Sequence, residues 1–297
     1  MSGEHPYKPI EGIICPECHA ELSKDDGLTK LSCKEHGDYP LKNGIPVFAE
    51  DHDFDDHWDD NLSQSIPEQK LIIGREFLRP AVAFLSTPGI KVLDAGCGDG
   101  VHAELMNEIL ADESTYYGLD ISYSAVRQAA TRFKKDKASF INSDVARMPF
   151  PDNYFQATFS FGVLAYTTDP EESFKELVRV TAVDGLIGIW IYPKKKGLGG
   201  ALFSGIRNIC RFSGRKVTIL IANLIVPFLA LLPTQSGMNL ANASWKQCRE
   251  IVMVNIAPTQ LFFPYPEEVK EWLDKMQVEI IDIDKKNLIT IWGRKKV

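Results

Sequence analysis

Several things are scarce in this chain, and each scarcity removes a class of explanation. Its 297 residues hold six cysteines, three grouped near the start and three scattered (Cys97, Cys210, Cys248), which fits a reducing compartment better than a disulfide framework. The opening Met1-Ser-Gly-Glu-His-Pro6 has no basic start and no apolar run, so no secretory signal is expected and a cytoplasmic location follows. No histidine follows His102, which denies the rest of the chain the commonest general base. From Gly185 to Arg249 there is no Asp or Glu, although nine of the 33 lysines and arginines lie there. The net charge of −7 argues against nucleic acid as a partner of the whole surface, and the acid-free stretch is the exception to it.

What is present centres on Lys91-Val-Leu-Asp-Ala-Gly-Cys-Gly-Asp-Gly100. An apolar strand breaks into three alternate glycines and then opens a helix. Such a junction seats a ligand, because bare backbone admits close approach and the first N–H groups of the helix point outward. The third glycine comes one residue too early for the Gly-x-Gly-x-x-Gly dinucleotide fingerprint, and Asp94 and Asp99 flank the turn, where they would repel a pyrophosphate. They suit a cationic ligand. S-adenosylmethionine carries an ammonium and a sulfonium and no phosphate.

Asp94-Ala-Gly-Cys-Gly-Asp-Gly100 resembles the first motif of class I S-adenosylmethionine-dependent methyltransferases, and three later segments resemble that family's next motifs in order. Tyr117-Gly-Leu-Asp-Ile-Ser122 is similar to the end of the second strand, which implies that Asp120 holds the ribose hydroxyls. Asn142-Ser-Asp-Val145, followed by Met148-Pro-Phe-Pro151, is similar to the turn whose acid takes the adenine amino group, a role that falls to Asp144. Phe159-Ser-Phe-Gly-Val-Leu164 resembles the end of the fourth strand, which lines the methyl donor and faces the substrate. The implied cofactor seat is Asp94, Gly96, Cys97, Gly98, Asp99, Gly100, Asp120, Ile121, Asp144, Val145 and Phe161. Helix capping or turn formation explains any one of the three aspartates Asp94, Asp120 and Asp144, but not three at successive strand ends.

The resemblance covers about residues 60–193 and 264–297. It implies an α/β fold with a Rossmann-like, seven-stranded, mostly parallel sheet and an antiparallel terminal hairpin, plus a small N-terminal zinc ribbon and a helical insert. The expected domains are a zinc-ribbon module (1–49), an acidic linker (50–66) and a catalytic domain (67–297) with a basic, apolar insert at 194–263. One helix is expected from about Pro67 to Leu85, with Leu71, Ile72, Phe77, Leu78 and Val82 on one side; a C-terminal hairpin should cover Trp292.

Cys15-Pro-Glu-Cys18 and Cys33-Lys-Glu-His36 are two knuckles with the spacing of a structural zinc site, which wants four thiolate or imidazole ligands. The ligands are Cys15, Cys18, Cys33 and His36; His19 is a weaker choice beside Cys18. Gly37 to Val47 resembles the segment closing the zinc domain of the activator of several tRNA and protein methyltransferases. A similar module is fused ahead of the rRNA guanine-N1 methyltransferases.

In the insert, Arg207, Arg211 and Arg215 recur every four positions and precede Val217 to Pro233, 17 residues without a charge. A single membrane span is excluded by that length, by Asn223 and Pro227, and because the flanking strands must join one sheet. The open readings are an interfacial anchor on an anionic membrane through residues 194–240, an apolar lid, and a helix pair in an enlarged core. The function expected is methyl transfer from S-adenosylmethionine to a lipophilic or membrane-associated small molecule. The alternatives are a zinc-ribbon methyltransferase of rRNA or tRNA, which leaves the apolar run unexplained, and a non-catalytic cofactor-binding scaffold. Many small-molecule members carry His-His after the fourth strand; Ala165-Tyr166 stands here instead, so no catalytic base is assigned. Tyr166, Tyr192 and Tyr265 are candidates for orienting substrate.

Overall fold

A computed structural model describes residues 12–27, 29–49, 66, 68–133, 137–192, 197–229, 245–256, 262–284 and 289–297. All but the last residue of the expected acidic linker, the lysines at 194–196 and the segment 230–244 lie outside the described residues.

Two sheets are present. The smaller joins β1 (Ser23–Lys24), β2 (Lys30–Cys33), β3 (Gly37–Lys42) and β4 (Ile45–Pro46) in sequence order, antiparallel throughout. The larger contains β5 (Lys91–Ala95), β6 (Thr115–Asp120), β7 (Ala138–Asn142), β8 (Phe155–Phe161), β9 (Thr181–Ile191), β10 (Val278–Asp284) and β11 (Ile289–Lys295). Its order is β10-β11-β9-β8-β5-β6-β7. The strands β5 to β9 pair in parallel and β11 lies antiparallel between β9 and β10. This is the Rossmann-like sheet with a terminal hairpin that the motif order implied.

Helices α1 (Glu68–Leu78), α2 (Val101–Ile109), α3 (Tyr123–Arg132), α4 (Pro170–Val180) and α7 (Pro266–Lys275) cover the sheet, with α5 (Gly197–Leu229) and α6 (Trp245–Ile256) forming the insert. Local chemistry sets their starts. The Ser122 side chain accepts the N–H of Ala125 to cap α3, and Asp169 accepts those of Glu171 and Glu172 ahead of Pro170 in α4. Successive residues of a strand face opposite sides, so Leu93 and Tyr117 feed one core while Val92 and Tyr116 feed the other.

The single helix expected over 67–85 is not formed. Pro80 breaks it into a tighter turn at Arg79–Ala81 before a last helical turn, Val82–Leu85. The apolar face rotates accordingly: Phe77, Leu78, Ala81 and Leu85 are buried, whereas Ile72 and Val82 are exposed. Trp292 is buried as expected; its indole N–H donates to the Phe77 carbonyl at 2.7 Å, and its ring occupies the space that a side chain on Gly188 would fill.

The small sheet docks on the outer strand of the large one. Val47 bridges Asn142 in parallel, the Phe48 N–H donates to the Asn142 carbonyl at 2.8 Å, and Ile14 N–H reaches the Pro149 carbonyl at 3.0 Å. Ile45 is fully buried in the core shared with β5 and β6. The N-terminal residues thus meet the outer strand β7 at its last residue, Asn142.

The insert differs. Its first helix runs as two segments joined at Gly214, whose φ of 73° breaks the helical path. The second segment packs on α6 around a separate core of Cys210, Ala222, Val226, Cys248, Val252 and Ile256. Among the described residues no helix is long and apolar enough to cross a membrane.

Candidate functional site

β5 ends at Ala95, and the chain enters α2 through Gly96, Gly98 and Gly100 with φ of 90°, 50° and 89°, all in the region where a side chain is strained. The sequence assigns these glycines to ligand approach, but the structure gives two of them protein neighbours. A Cβ on Gly96 would stand 2.2 Å from Val163 Cγ2, and one on Gly100 would stand 2.7 Å from Ala129 Cα. Gly96 lets the loop after β8 close over the turn; Gly100 lets α3 pack against the start of α2.

Asp120 ties the second strand end to this loop. Its Oδ2 accepts the Gly98 N–H at 2.9 Å and its Oδ1 that of Ser122 at 3.0 Å. Asn142, at the end of β7, donates its side-chain amide to the carbonyls of Asp120 and Ile121 at 3.1 and 2.7 Å. The Asp144 carboxylate accepts the Ala146 N–H at 2.9 Å, while Val145 is buried beside it. Gly98, Asp120, Ile121, Asp144 and Val145 therefore fall along three adjoining strand ends, where open α/β sheets bind ligands.

The other residues of the expected seat sit differently. Asp94 is fully buried; its Oδ2 accepts the Tyr116 hydroxyl at 2.8 Å and lies 3.5 Å from His102 Nδ1. Burial, reinforced by Asp94, pushes the Tyr116 phenol well above its ordinary pKa, so it stays a donor. Among the described residues Asp94 Oδ1 and His102 Nε2 have no hydrogen-bond partner. The Cys97 thiol is pushed up by burial and by Asp120 and Asp94, which leaves it unreactive. Asp99 turns to Lys70, Nζ to Oδ2 3.4 Å, and its carbonyl accepts from Arg132 at 2.6 Å. Sequence reasoning passed over His102 and Asn142. The Asp-x7-His interval from strand end to first helical turn was the available signal for the first.

The turn thus presents N–H groups and carboxylates. An orphaned carboxylate oxygen lies beneath it and the Asp120 carboxylate at its rim. Those acceptors suit an ammonium or ribose hydroxyls and do not suit a pyrophosphate.

Toward β9 the site becomes aromatic. Phe161 stacks on Trp190 with centroids 4.4 Å apart and meets Phe77 and His102 edge-on at 5.0 and 4.9 Å. Trp190 contacts Tyr192 at 4.5 Å, Tyr192 contacts Phe263 at 6.5 Å, and Phe203 of α5 contacts Phe263 at 6.0 Å. The Arg207 guanidinium lies 5.9 Å from the Phe263 ring centroid. The first segment of α5 therefore extends the wall above the ends of β8 and β9. Burial pushes Tyr192 up to about 12 and Tyr166 higher still, so both phenols remain protonated O–H groups. Tyr265 starts α7, its backbone N–H donating to Glu268 at 2.6 Å.

In the N-terminal module Cys15, Cys18, Cys33 and His36 present ligand atoms that all lie within 4.8 Å of one another. Cys15 Sγ and Cys33 Sγ stand 3.6 and 3.7 Å from His36 Nδ1, and Cys18 Sγ stands 3.6 Å from Cys33 Sγ. Zn–S and Zn–N bonds of about 2.3 and 2.0 Å place the corners of a tetrahedron roughly 3.5–3.8 Å apart, so the four residues fit that ion. The Glu35 and His36 N–H groups draw the Cys33 thiol down to about 6, and the Tyr39 hydroxyl lies 3.4 Å from Cys15 Sγ. His19 is not part of the cluster.

Residues 93–189 match the family described as "Methyltransferase domain". A sterol 24-C-methyltransferase of Gibberella zeae is 34% identical over 107 residues, 35% of this chain and 28% of that protein. A malonyl-[acyl-carrier protein] O-methyltransferase of Legionella pneumophila is 28% identical over 135 residues, 45% of this chain and 46% of that protein. The chain spans less than half the length of these relatives. Among solved structures, a complex between the Haloferax volcanii Trm112 methyltransferase activator and a methyltransferase superposes with a TM-score of 0.52 at 15% identity, covering 84% of this chain and 100% of that one.

Residues 93–189 thus match a methyltransferase domain, and the fold in which they lie is Rossmann-like. The match and the acceptor-rich glycine turn agree on S-adenosylmethionine as the cofactor.

Proposed function

We propose that the chain methylates a lipophilic acceptor, with S-adenosylmethionine as donor. The supporting observation is the aromatic wall of Phe161, Trp190, Tyr192, Phe203 and Phe263 on the side of the glycine turn where β8 and β9 end. Sterol methyltransferases among the relatives agree with such an acceptor.

When bound, the cofactor supplies a methyl group on a sulfonium, so the chain mainly has to align the acceptor and exclude water. Asp120 would receive the ribose hydroxyls and Asp144 the adenine amino group. Asp94 acts from beneath the turn, where a carboxylate favours a cationic ligand. Tyr166 and Tyr192, held protonated, orient the acceptor as hydrogen-bond donors and do not serve as phenolate bases. The four-residue cluster holds a structural zinc; with all four positions filled by protein, no site remains for a reacting water.

Turnover with donor labelled in the methyl group, offered extracted lipids and RNA together, tests the reading. Label entering the organic phase supports it. Label found solely in RNA overturns it in favour of a nucleic-acid methyltransferase, and bound donor without transfer overturns it in favour of a scaffold.

A further inference from the structure

The insert is apolar on two sides, and among the described residues one of them is exposed. In the second segment of α5, Thr218, Ala222 and Val226 recur every four residues and are buried, the last two against α6. Val217, Leu220 and Leu224, offset from that stripe, are exposed, Leu224 at 64%. The first segment repeats the arrangement: Cys210 is buried while Leu202, Ile209 and Phe212 point outward, Phe212 at 82%. Trp245 opens α6, half exposed, with its indole N–H on Asn223 at 3.2 Å. A water-facing helix ordinarily carries charge on its outer side; here the outer side carries Leu, Ile, Phe and Trp.

Charge selects what covers this face. The residues from 185 to 249 contain nine Lys and Arg and no acid in a chain of net charge −7, and Lys216 is exposed next to Val217. Aliphatic and aromatic side chains beside cations, without a carboxylate, are what an anionic interface holds: apolar groups enter the acyl boundary, Trp sits at headgroup level, and bases meet phosphates. A second copy would bring the same acid-free, basic segment against this one, so like charges would oppose each other. No described helix is long and apolar enough to span, so the contact is interfacial.

We propose that the outer face of α5 and α6 docks on the surface of an anionic lipid bilayer. The same helix supplies Phe203 and Arg207 to the aromatic wall, so docking sets the mouth of the site at the membrane plane. This inference stands apart from the identity of the acceptor, because vesicle binding is read without turnover.

The full-length chain is sedimented with sucrose-loaded vesicles of phosphatidylcholine alone or with 30% phosphatidylglycerol, in ~0.1 and ~0.5 M salt. The expected result is binding at least tenfold tighter to the anionic vesicles, weakened by salt. The triple variant Phe212→Ser, Leu220→Ser, Leu224→Ser loses at least tenfold in vesicle affinity while its affinity for S-adenosylmethionine by calorimetry is unchanged. Lys216→Glu loses about fivefold or more, the size expected when one surface cation is removed. Three results overturn the proposal: no sedimentation above background, equal binding by wild type and triple variant, or a wild-type dimer in light scattering that the triple variant abolishes, which assigns the face to a second copy. Unchanged cofactor binding with lost sedimentation separates failure of the docking face from failure of the methyltransferase reading.

Discussion

The N-terminal module and the insert are both additions to the same sheet, but they attach in opposite ways. The module gives its backbone to the host: Val47 and Phe48 bond to Asn142, Ile14 to Pro149, and Ile45 is sunk in the host core. The insert keeps a core of its own around Cys210, Val226 and Val252 and leaves apolar side chains outside. Backbone pairing with a strand end fixes position beside Asp120, whose carbonyl accepts from Asn142, and Asp144, two residues further along. A helical pair packed largely on its own core transmits less.

The largest effect expected from breaking this contrast is on the module. Cys15→Ser with Cys33→Ser should abolish metal content by atomic absorption and remove on the order of 10 kcal/mol of local folding energy. If docking supports the cofactor seat, calorimetry will show S-adenosylmethionine binding weakened about tenfold or more; unchanged affinity would make the module a passive cover. Next comes the shared framework, where Trp292→Ala should cost about 3–5 kcal/mol in urea unfolding, since it removes a buried ring and orphans the Phe77 carbonyl.

Asp120→Asn should weaken cofactor binding about 10- to 100-fold, equivalent to the roughly 1.5–3 kcal/mol of hydrogen bonds to a charged group. An effect of that size with little change in unfolding midpoint would localise the role to the ligand. Tyr192 gives a pH signature. Its folded pKa is raised to about 12 by burial, so its contribution to stability is complete below pH 10 and lost as pH climbs toward 12. The stability difference between wild type and Tyr192→Phe should be flat from pH 6 to 9, and methyl-transfer rates should show no break there from this phenol. The smallest effect belongs to Arg147→Ala, which removes an exposed pair with Glu17 across the module boundary at 2.9 Å. It should cost under about 1 kcal/mol; a much larger loss would mean that ion pairing, rather than the backbone contacts, holds the module in place.

The parallel strands were legible because buried strands read as apolar runs and glycine punctuates their ends. Asp120 was legible through its place after such a run. Pro80 was visible in the sequence as a helix breaker, yet the apolar period across it concealed how far Val82 would rotate. Contacts between distant segments could not be read from either partner. Val163 filling the space over Gly96, Ala129 against Gly100, and Phe48 on Asn142 depend on register in three dimensions, and no local pattern encodes them. The Asp94–His102 pair lies in between: short in sequence, but recognisable only once α2 folds back over β5.

The sheet has two outer margins, and they are protected unequally. Beyond β10, Glu279, Asp282 and Asp284 face water among the exposed Ile281 and Ile283, and carboxylates there discourage a foreign strand from adding on. The β7 margin is met instead by residues 47–49, which contact the strand at Asn142. A fragment cut to begin at the catalytic domain would bare that margin, and such fragments should assemble edge to edge, so expression trials of the isolated domain would yield aggregates where the whole chain stays dispersed.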